Sequence, residues 1–450
     1  MPKYWKNSRI LKAFADGGRV KSFGEAETRL SAVCVDVVIG SDQSATIAGQ
    51  AATLTAIATA RKCFGKATLV AAVDVPLLTP LPLGPTLLKA ARALGATVRS
   101  SASKKATHTI RIGAASRSSG WDVRCWWDRW LSGTRAFDHE ALGDSRLPLS
   151  GVFAAATAVR QVFACVLANK NLRERDCTVS LWRPWERADL GQVGPERFDV
   201  PDKLWFLGLG HLGQAFIWNL CFLPGAAERL AVLQDDQTVG EENEATSLLV
   251  LPGEGEKGER KTRLSAPWLE ACGWRTQLIE RRHWGDIDLT DADPPFLLSG
   301  LDRLKPRLTL AKHGFPYMLD AGIGHGPGDF EGIQLRTVVG GKPVNGLWSD
   351  PEKATSAEEG NKGLLANPAY LELEQHVGVC GKLSFAEASV AVPFVGAATG
   401  ALVIAQAVRL ASLQPAPLLL QMELGAPDMA TVGGLTASPE INLGSYSVRL

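Results

Sequence analysis

The sequence predicts an α/β protein built from two Rossmann-like halves, and three observations indicate this fold class. An apolar run ends in the glycine turn GLGHLG at residues 208–213 and continues into a helix-like stretch, as where a parallel strand meets a nucleotide-binding helix. A second buried-strand run, at residues 32–42, also precedes an alanine-rich helix. The apolar helices at 147–169 and 392–412 resemble each other, which indicates a duplicated unit.

Length and composition exclude several classes of protein. The chain has 450 residues, 46% of them hydrophobic, enough for a sizeable core in two or three domains. A net charge of +1 gives no support for binding nucleic acid or a membrane surface through bulk charge. The eight cysteines include no Cys-x-x-Cys pair, so we expect no zinc ribbon and reduced thiols in the cytoplasm.

Two segments bear on membrane association. The N-terminal segment MPKYWKNSRILKAF is charged throughout and lacks the apolar core of a signal peptide, so we expect a cytoplasmic location. The uncharged stretch 388–408 is about as long as a membrane span. Alanine and glycine dominate it, however, and contribute little to membrane insertion. We therefore predict a buried core helix and no membrane partner.

The first half, residues 1–198, is predicted to be an inactive Rossmann-like domain. Its turn keeps Gly40 but has Ser41 and Asp42 where the second turn has its middle glycine. A carboxylate at that place would repel a phosphate, so we expect no nucleotide there. Its elements are predicted as a strand at 32–42, a helix at 43–64, a strand at 67–75 and a helix at 147–169.

The second half, residues 199–450, is predicted to be the active domain, joined to the first through the polar, glycine- and proline-containing segment 182–203. Its glycines let the backbone turn sharply and approach a phosphate, whose charge then meets the amides at the helix start. The predicted elements are a strand and turn at 204–213, a strand at 229–236 and a helix at 392–412.

Polar residues downstream of the turn separate ATP from a dinucleotide. Asp235 lies 22 residues past Gly213, where an acidic side chain accepts hydrogen bonds from a ribose in either class. Asn243 and Lys261 follow and would lie along phosphates, and Asp302, at the end of a later apolar strand, would hold Mg²⁺. A triphosphate needs such cations, whereas a bound NAD needs far less. We therefore expect ATP and Mg²⁺ as cofactors.

In this order and spacing, the residues resemble the ubiquitin-activating enzyme superfamily, which includes the molybdopterin and thiamine biosynthesis adenylyltransferases (the ThiF and MoeB type). The resemblance extends over residues 200–412 and, more weakly, over the first half as the family's inactive partner domain. It implies roles for the turn glycines Gly208, Gly210 and Gly213, for Asp235 on ribose, for Asn243 and Lys261 on phosphates, for Asp302 on magnesium, and for Arg307 as the arginine that closes the motif.

The sequence departs from the family pattern at one charged position. Thr246 stands where the family has an arginine, so a phosphate-neutralising charge is missing there. Arg260 or Arg263 would substitute for it, or Arg9, since YWKNSRIL is similar to the family's N-terminal helix that reaches into the site from the inactive domain. The zinc-binding cysteine pairs of several relatives are also absent from the sequence.

Cys380 is the candidate nucleophile. It lies between two glycines, next to Lys382 and four residues after His376, and such neighbours favour the thiolate form. The placement is similar to that in autophagy-type activating enzymes. Because only 78 residues separate Asp302 from Cys380, we expect the thiol on a crossing loop. The polar segment 339–370 is either a mobile loop over the site or an ordinary surface insertion.

Together these features predict ATP-dependent activation of a ubiquitin-like protein: adenylation of its C-terminus, thioester formation on Cys380, and transfer to a conjugating enzyme. Three alternatives stay open. They are an adenylyltransferase that passes the acyl-adenylate to a sulfur carrier or an amine, an NAD(P)-dependent oxidoreductase, and a non-enzymatic scaffold. The oxidoreductase would leave Lys261, Asp302 and Cys380 without linked roles. The resemblance to bacterial stand-alone enzymes implies a role in antiviral defence, and a homodimer also stays open.

Overall fold

Two β-sheets organise the computed structural model, which describes residues 8–115, 120–136, 146–188, 193–226, 228–302, 304–310, 312–324, 329–340, 347–348 and 363–450. The strands of the first sheet are β1 (Val35–Ile39), β2 (Thr68–Val70), β3 (Thr97–Arg99), β4 (His108–Ile112), β5 (Asp122–Asp128), β6 (Leu131–Arg135) and β7 (Cys177–Ser180). Their order is β3-β2-β1-β4-β5-β6-β7. The pairs from β3 to β5 are parallel, and β6 and β7 add antiparallel strands.

The second sheet repeats this plan. Its strands are β9 (Lys203–Leu207), β10 (Arg229–Gln234), β11 (Trp274–Ile279), β12 (Phe296–Ser299), β13 (Tyr317–Ile323), β14 (Gly332–Val339), β15 (Leu419–Glu423) and β16 (Thr431–Val432). The order is β11-β10-β9-β12-β13-β14-β15-β16, parallel from β11 to β13 and antiparallel beyond. The corresponding central strands β1 and β9 are each buried and each end in a turn that leads to a helix.

The helices are α1 (Ser8–Ala15), α2 (Phe23–Ser31), α3 (Ser41–Ser44), α4 (Ile47–Phe64), α5 (Leu87–Ala93), α6 (Pro148–Ala168), α7 (His211–Cys221), α8 (Glu241–Thr246), α9 (Lys261–Ala271), α10 (Leu304–Leu310), α11 (Pro368–Glu387) and α12 (Pro393–Ala411). A short 3₁₀ turn spans Pro427–Met429. Together with the sheets they give an α/β, Rossmann-like architecture, which confirms the predicted fold class at that level.

Four apolar helices, α4 and α6 from the first half and α7 and α12 from the second, pack against one another. The approach is close because small residues lie at the crossings. A Cβ atom on Gly151 would lie 2.4 Å from the carbonyl oxygen of Ala48, and one on Gly400 would lie 2.5 Å from that of Ala215. The indole of Trp218 also donates to the hydroxyl of Thr55 across the halves, at 2.9 Å. One continuous core therefore joins the two halves.

Helices α6 and α12 are each long and apolar enough to cross a membrane by length and composition. In the most apolar window of each, 78% and 100% of the residues are buried inside the protein. All of α12 packs within the core. The prediction of a buried core helix over 388–408 is confirmed for the residues of α12.

The segment predicted to join the halves contains a further strand. Strand β8 (Arg197–Pro201) pairs antiparallel with β17 (Ser445–Arg449), so the end of the chain returns to this segment. The hydroxyl of Ser412, at the end of α12, accepts a hydrogen bond from the Asp199 amide at 2.8 Å. The predicted boundary at residues 198 and 199 therefore falls within β8.

Candidate functional site

The glycine turn after β9 is a tight backbone crossing. Gly208 has φ of 83°, in the left-handed region that favours glycine. A Cβ atom on Gly213 would lie 2.0 Å from the Gly208 carbonyl oxygen, and one on Gly300 would lie 2.9 Å from the Gly213 amide nitrogen. The turn, the start of α7 and the end of β12 therefore meet through three glycines. The sequence predicted the first two, and Gly300, in LLSGLD, was missed.

The start of α7 is open. Gly210 is the N-cap residue, and no side chain described by the structure caps this end of the helix. Among the described residues, no atom beyond the chain neighbours and the helix's own backbone lies within 4 Å of where a Cβ atom of Gly210 would be. The first amides of a helix have no acceptor within the helix and carry the positive end of its dipole. This end of α7 therefore has the chemistry of an anion site.

Asp235 lies directly after β10, beside the turn. Its carboxylate accepts hydrogen bonds from the amide of Leu209 at 2.7 Å and from the amide of Gln237 at 2.8 Å. These two bonds fix the carboxylate at the edge of the sheet where parallel strands end, the place where a doubly wound fold binds its ligand. Its role on a ribose stays a prediction.

Lys261, the first residue of α9, brings several predicted residues together. Its side chain is buried, and Nζ donates to Oε1 of Gln237 at 2.7 Å. Burial lowers the pKa of Lys261, and the charge of Arg9 lowers it further. Three nearby carboxylates oppose that shift, namely Asp235, Glu242 and Asp302. The charges of one guanidinium and three carboxylates thus act on the Lys261 ammonium, and of these groups the sequence missed only Glu242.

Asp302 lies on the turn after β12 with its side chain exposed. Arg307 holds the adjoining backbone, because its Nε donates to the Leu301 carbonyl at 2.9 Å and Nη2 donates to the Ala321 carbonyl at 3.0 Å. Its guanidinium also lies 3.5 Å from the buried carboxylate of Asp320. Arg307 therefore positions the turn that carries Asp302 and has its donors directed at protein.

Asn243 lies within α8 and is buried. Its Oδ1 accepts a hydrogen bond from the Gly240 amide at 2.9 Å, which caps the helix. Since this oxygen is bonded to the backbone, a contact between Asn243 and a phosphate would come from the Nδ2 donor.

Thr246 stands where the family has an arginine. The structure distinguishes the three arginines that are candidates to replace that charge. Arg263 is more than half exposed and pairs with Glu280 at 2.8 Å. Arg260 donates to the carbonyl of Asp236 at 2.6 Å. Arg9, in α1, is the substitute whose charge acts on Lys261, and α1 packs against α8. Of the three arginines, Arg9 is thus the one whose charge reaches Lys261, and its role on a phosphate stays a prediction.

His211, the first residue of α7, joins the turn to α8. Its Nδ1 lies 2.8 Å from the Thr246 carbonyl oxygen; because a carbonyl only accepts, Nδ1 carries the proton. Nε2 is buried, has no hydrogen-bond partner among the described residues, and lies against Gly396. Burial lowers the pKa of His211 to about 4, so the ring is neutral at pH 7. The sequence displays His211 within the turn but gives no sign of this role.

The corresponding turn of the first half is filled. Gly40 and Gly49 correspond to Gly208 and Gly213, but eight residues rather than four lie between them, and the extra residues form α3. The Asp42 carboxylate accepts a hydrogen bond from the Ala114 amide at 3.0 Å. A Cβ atom on Gly113 would lie 2.5 Å from the side chain of Gln43. The residues of α3 therefore occupy the space that is open at Gly210.

Cys380 lies in α11 and not on a loop, so the predicted crossing loop is wrong for the thiol itself. Helix α11 is broken at Gly378, whose φ of 70° interrupts it, and Cys380 lies in the first turn after this break. It is exposed, whereas the other seven cysteines are buried or half-buried. Most of the segment 339–370, including the part from 349 to 362, lies outside the described residues.

Lys382 and His376, the two side chains expected to act on Cys380, contact carboxylates. Lys382 forms an ion pair with Glu374, and Nε2 of His376 lies 3.3 Å from Oε1 of Glu372. Both side chains therefore have partners on their own helix. Glu372 and Glu374 precede Cys380 on the same helix, and the sequence pattern around the thiol gave no sign of these two pairings.

Helix α11 is held by α1 of the first half. Lys12 is buried, and its Nζ donates to the Tyr370 hydroxyl at 2.5 Å and to the Ala386 carbonyl at 3.2 Å, near the two ends of α11. The Tyr370 hydroxyl donates to Asp16 at 2.6 Å. Burial lowers the pKa of Lys12 and raises that of Asp16. Helix α1 thus contacts both the candidate nucleotide site and the helix that carries Cys380.

The fold and the open glycine turn define a Rossmann-type protein with a candidate nucleotide site. Comparison with known proteins narrows this class. The family model of the BilD N-terminal domain matches residues 34–181, and that of the BilD C-terminal domain matches residues 200–413. The bacterial E1-like protein BilD of Collimonas sp. (strain OK412) is 30% identical over 412 residues, which cover 89% of this chain and 87% of that protein. The chain belongs to the BilD family of bacterial E1-like proteins.

Solved structures of E. coli MccB show a weak likeness. The structures with selenomethionine MccA and with AMPCPP and MccA are 12% and 13% identical to this chain, each with a TM-score of 0.34. Each match covers 54% of this chain and 66% of the MccB chain.

Proposed function

We propose that this protein uses ATP to activate the C-terminus of a ubiquitin-like protein by adenylation at the turn formed by Gly208, Gly210 and Gly213. The observation that carries the proposal is the convergence of Lys261, Arg9, Asp235 and Asp302 beside an uncapped helix start. Membership of an E1-like family supports it further.

The site fits a nucleoside triphosphate in three respects. The open start of α7 and Gly210 offer amides and space for phosphate. Lys261 and Arg9 supply positive charge, and the fixed Asp235 carboxylate would bind the ribose. No cluster of three metal-ligating side chains occurs in the described ranges. Mg²⁺ typically needs only one or two carboxylates together with phosphates and water, and the exposed Asp302 would provide one.

Adenylation requires little covalent chemistry from the protein. An oxygen of the substrate carboxylate attacks the α-phosphorus, the bond from that phosphorus to the bridging oxygen breaks, and pyrophosphate leaves. Lys261 and Arg9 neutralise charge on the phosphates, and the amides of α7 orient them. When bound, Mg²⁺ adds to this neutralisation and would be held by Asp302.

We propose that Cys380 then accepts the activated carboxyl group. Its thiolate sulfur attacks the acyl carbon, AMP leaves with the bonding electron pair, and a thioester forms, which a conjugating enzyme accepts by transthiolation. The exposure of Cys380 and the contact of α1 with both α11 and α8 support this step. The break at Gly378 supplies a point at which the thiol segment can move.

The same proposal assigns residues 1–198 to an inactive domain and residues 199–450 to the active one, as a pseudo-dimer within one chain. The matching strand orders and the filled turn at Gly40 support this assignment. We place the protein in the cytoplasm, within a bacterial conjugation pathway of the antiviral type.

One observation favours a second candidate function. Because Lys382 forms an ion pair with Glu374 and His376 contacts Glu372, the partners that the structure gives these two side chains are carboxylates and not the thiol of Cys380. An adenylyltransferase that passes its acyl-adenylate directly to a sulfur carrier or an amine needs no such thiol.

Exchange of labelled pyrophosphate into ATP tests the adenylation step. We expect exchange only when the cognate ubiquitin-like protein is present, and a loss of at least about 100-fold in Asp302→Ala, because loss of the carboxylate that would hold Mg²⁺ removes the charge neutralisation that Mg²⁺ supplies in the transition state. The fold should persist, since Asp302 is exposed. Asp291→Ala, another exposed aspartate, is the matched control. Undiminished exchange in Asp302→Ala would reject the site.

A further inference from the structure

A lysine of the first half reaches the second half next to the candidate site. Lys62 lies in the last turn of α4 and is only 7% exposed. Its Nζ donates to the Glu244 carbonyl at 2.6 Å and to the Val250 carbonyl at 2.8 Å. We propose that Lys62 is a positioning residue that holds α8 in place for nucleotide binding; its role in the reaction rests on the proposed function.

Burying an ammonium group costs free energy unless its N–H donors form hydrogen bonds. The two acceptor carbonyls must therefore lie within hydrogen-bond distance of Nζ. The two carbonyls that accept these hydrogen bonds lie at the two ends of residues 244–250. This segment runs from the last turn of α8 into the turn that follows it. A leucine or methionine at position 62 would fill the same volume but could not bind either carbonyl. Lys62 therefore acts as a clamp on residues 244–250 rather than as packing.

The opposite side of this segment is held by the helix of the glycine turn. The Thr246 carbonyl accepts a hydrogen bond from Nδ1 of His211 at 2.8 Å, and the Leu249 amide donates to Oε1 of Gln214 at 3.2 Å. The segment thus lies between α4 of the first half and α7 of the second. Removal of Lys62 frees one side, while the bonds to α7 remain.

Helix α8 carries residues that face the site. The Glu242 carboxylate acts on the charge of Lys261, and Asn243 is the predicted phosphate contact. The charge of Lys62, like that of Arg9, also reaches His211 at the start of α7. The first half therefore contributes both charge and placement to the site of the second half, although its own turn is filled.

The test compares Lys62→Met with Lys66→Met. Methionine keeps the length of the side chain without its donors, and Lys66 is an exposed neighbour whose Nζ donates to the Ser31 carbonyl at 2.8 Å within the first half. In the nucleotide-free protein, we expect Lys62→Met to lose hydrogen-exchange protection in residues 241–250. In pyrophosphate exchange, we expect KM for ATP to rise about tenfold with kcat changed less than about twofold, because a misplaced binding group raises KM. Lys66→Met should leave both measurements unchanged.

Two results would overturn the proposal. Unchanged protection of 241–250 in Lys62→Met would show that the clamp does not act. Reduced protection with an unchanged KM for ATP would show that the lysine is structural and does not position the site. If the wild type shows no pyrophosphate exchange with any partner, the adenylation proposal fails by itself. The role of Lys62 is then tested by hydrogen-exchange protection of residues 241–250 together with the Kd for ATP measured by calorimetry.

A second variant keeps the test decisive if Lys62→Met does not fold. Lys62→Ala leaves a space beside the two carbonyls that methylammonium can enter. We expect added methylammonium, at constant ionic strength, to lower KM for ATP toward the wild-type value, whereas tetramethylammonium, which has no N–H donor, should not. Equal responses to the two cations would contradict the proposal.

Discussion

The two glycine turns of this protein begin alike and end differently. After β1, the chain keeps glycines at the first and last positions, Gly40 and Gly49, and inserts a short helix between them. After β9, the shorter turn leaves the space at Gly210 open beside an uncapped helix. A Cβ atom on Gly49 would lie 2.2 Å from the carbonyl oxygen of Gln43 in the inserted helix, and one on Gly213 would lie 2.0 Å from that of Gly208, the first glycine of its own turn. Each half therefore has a glycine at a close backbone approach, but the partner differs, and the open cradle belongs to the second half.

This difference teaches that the close glycine crossing and the capacity to bind phosphate are separable. Gly49 lies against the backbone of Gln43 in α3, and the side chains of Gln43 and Asp42 lie against Gly113 on the other side of the turn. The first half keeps its sheet and its helices, and it contributes Arg9 through α1 and Lys62 through α4 to the second half. A half can thus lose its own site and still be needed for the site of its neighbour.

The largest expected effect concerns the thiol of the second half. With ATP and the ubiquitin-like partner, the wild type should form an adduct that a thiol reductant removes, because thioesters undergo thiol exchange. Cys380→Ala should lose this adduct completely and keep pyrophosphate exchange, since adenylation precedes the thiol step. Gel mobility with and without reductant measures the adduct. The matched control is Cys34→Ala, a half-buried thiol of the first half.

Two outcomes would change this assignment. A normal labile adduct in Cys380→Ala would mean that another cysteine is the nucleophile, with Cys272 and Cys177 tested next, both half-buried. The absence of an adduct from the wild type, with exchange intact, would favour direct transfer of the acyl-adenylate to its acceptor.

The next effect tests whether the first half supplies charge to the second. Arg9→Ala should lower kcat/KM for pyrophosphate exchange by about 100-fold, in the range that lost transition-state charge neutralisation costs. Arg263→Ala should change it less than about twofold, because that side chain is exposed and pairs with Glu280. Equal losses in the two variants would remove the distinction between the arginines and return Thr246 to an open question.

The smallest effect uses one buried histidine from each half. Burial lowers the pKa of His108 and of His211 to about 4. Since the unfolded chain takes up a proton near pH 6.5, each ring stabilises the native state above that pH and loses this contribution as pH falls toward 4. Each should account for about 2 kcal/mol of the unfolding free energy lost between pH 7 and pH 5.

Substitution separates the two histidines. His211→Asn keeps a donor for the Thr246 carbonyl, and urea unfolding at pH 7 and pH 5 should show a smaller loss than in the wild type. His108→Asn should reduce this loss of unfolding free energy by a similar amount. If both variants lose as much unfolding free energy between pH 7 and pH 5 as the wild type does, neither ring is held neutral in the native state.

Periodicity and the glycine pattern predicted most of the architecture. The helices expected at 147–169 and 392–412 span Pro148–Ala168 and Pro393–Ala411, because long apolar runs have few other ways to be buried. The sequence also singled out Asp235, Lys261 and Asp302 by their order after the glycine turn, and in the structure the charges of both aspartates act on Lys261.

What the sequence did not predict depends on contacts between distant residues. Helix α11 appears polar and glycine-interrupted in sequence, but Lys12 and Tyr370, 358 residues apart, hold it in place. His211 and Lys62 acquire their roles only when α8 lies between their helices. The helical insertion at Asp42 was interpreted as a repelling carboxylate, whereas its side chain is bonded to the Ala114 amide and the insertion itself fills the turn.

The central claim is that the open turn at Gly210 binds the phosphates of ATP and the filled turn at Asp42 does not. Gly210→Ala adds a methyl group into space that holds no atom of the surrounding described residues, at a negative φ of −78°. Calorimetric titration with ATP and Mg²⁺ should give one site in the wild type and in Asp42→Ala, and no detectable binding in Gly210→Ala at an unchanged Tm. Wild-type affinity in Gly210→Ala, or loss of binding in Asp42→Ala with its Tm unchanged, would contradict the account.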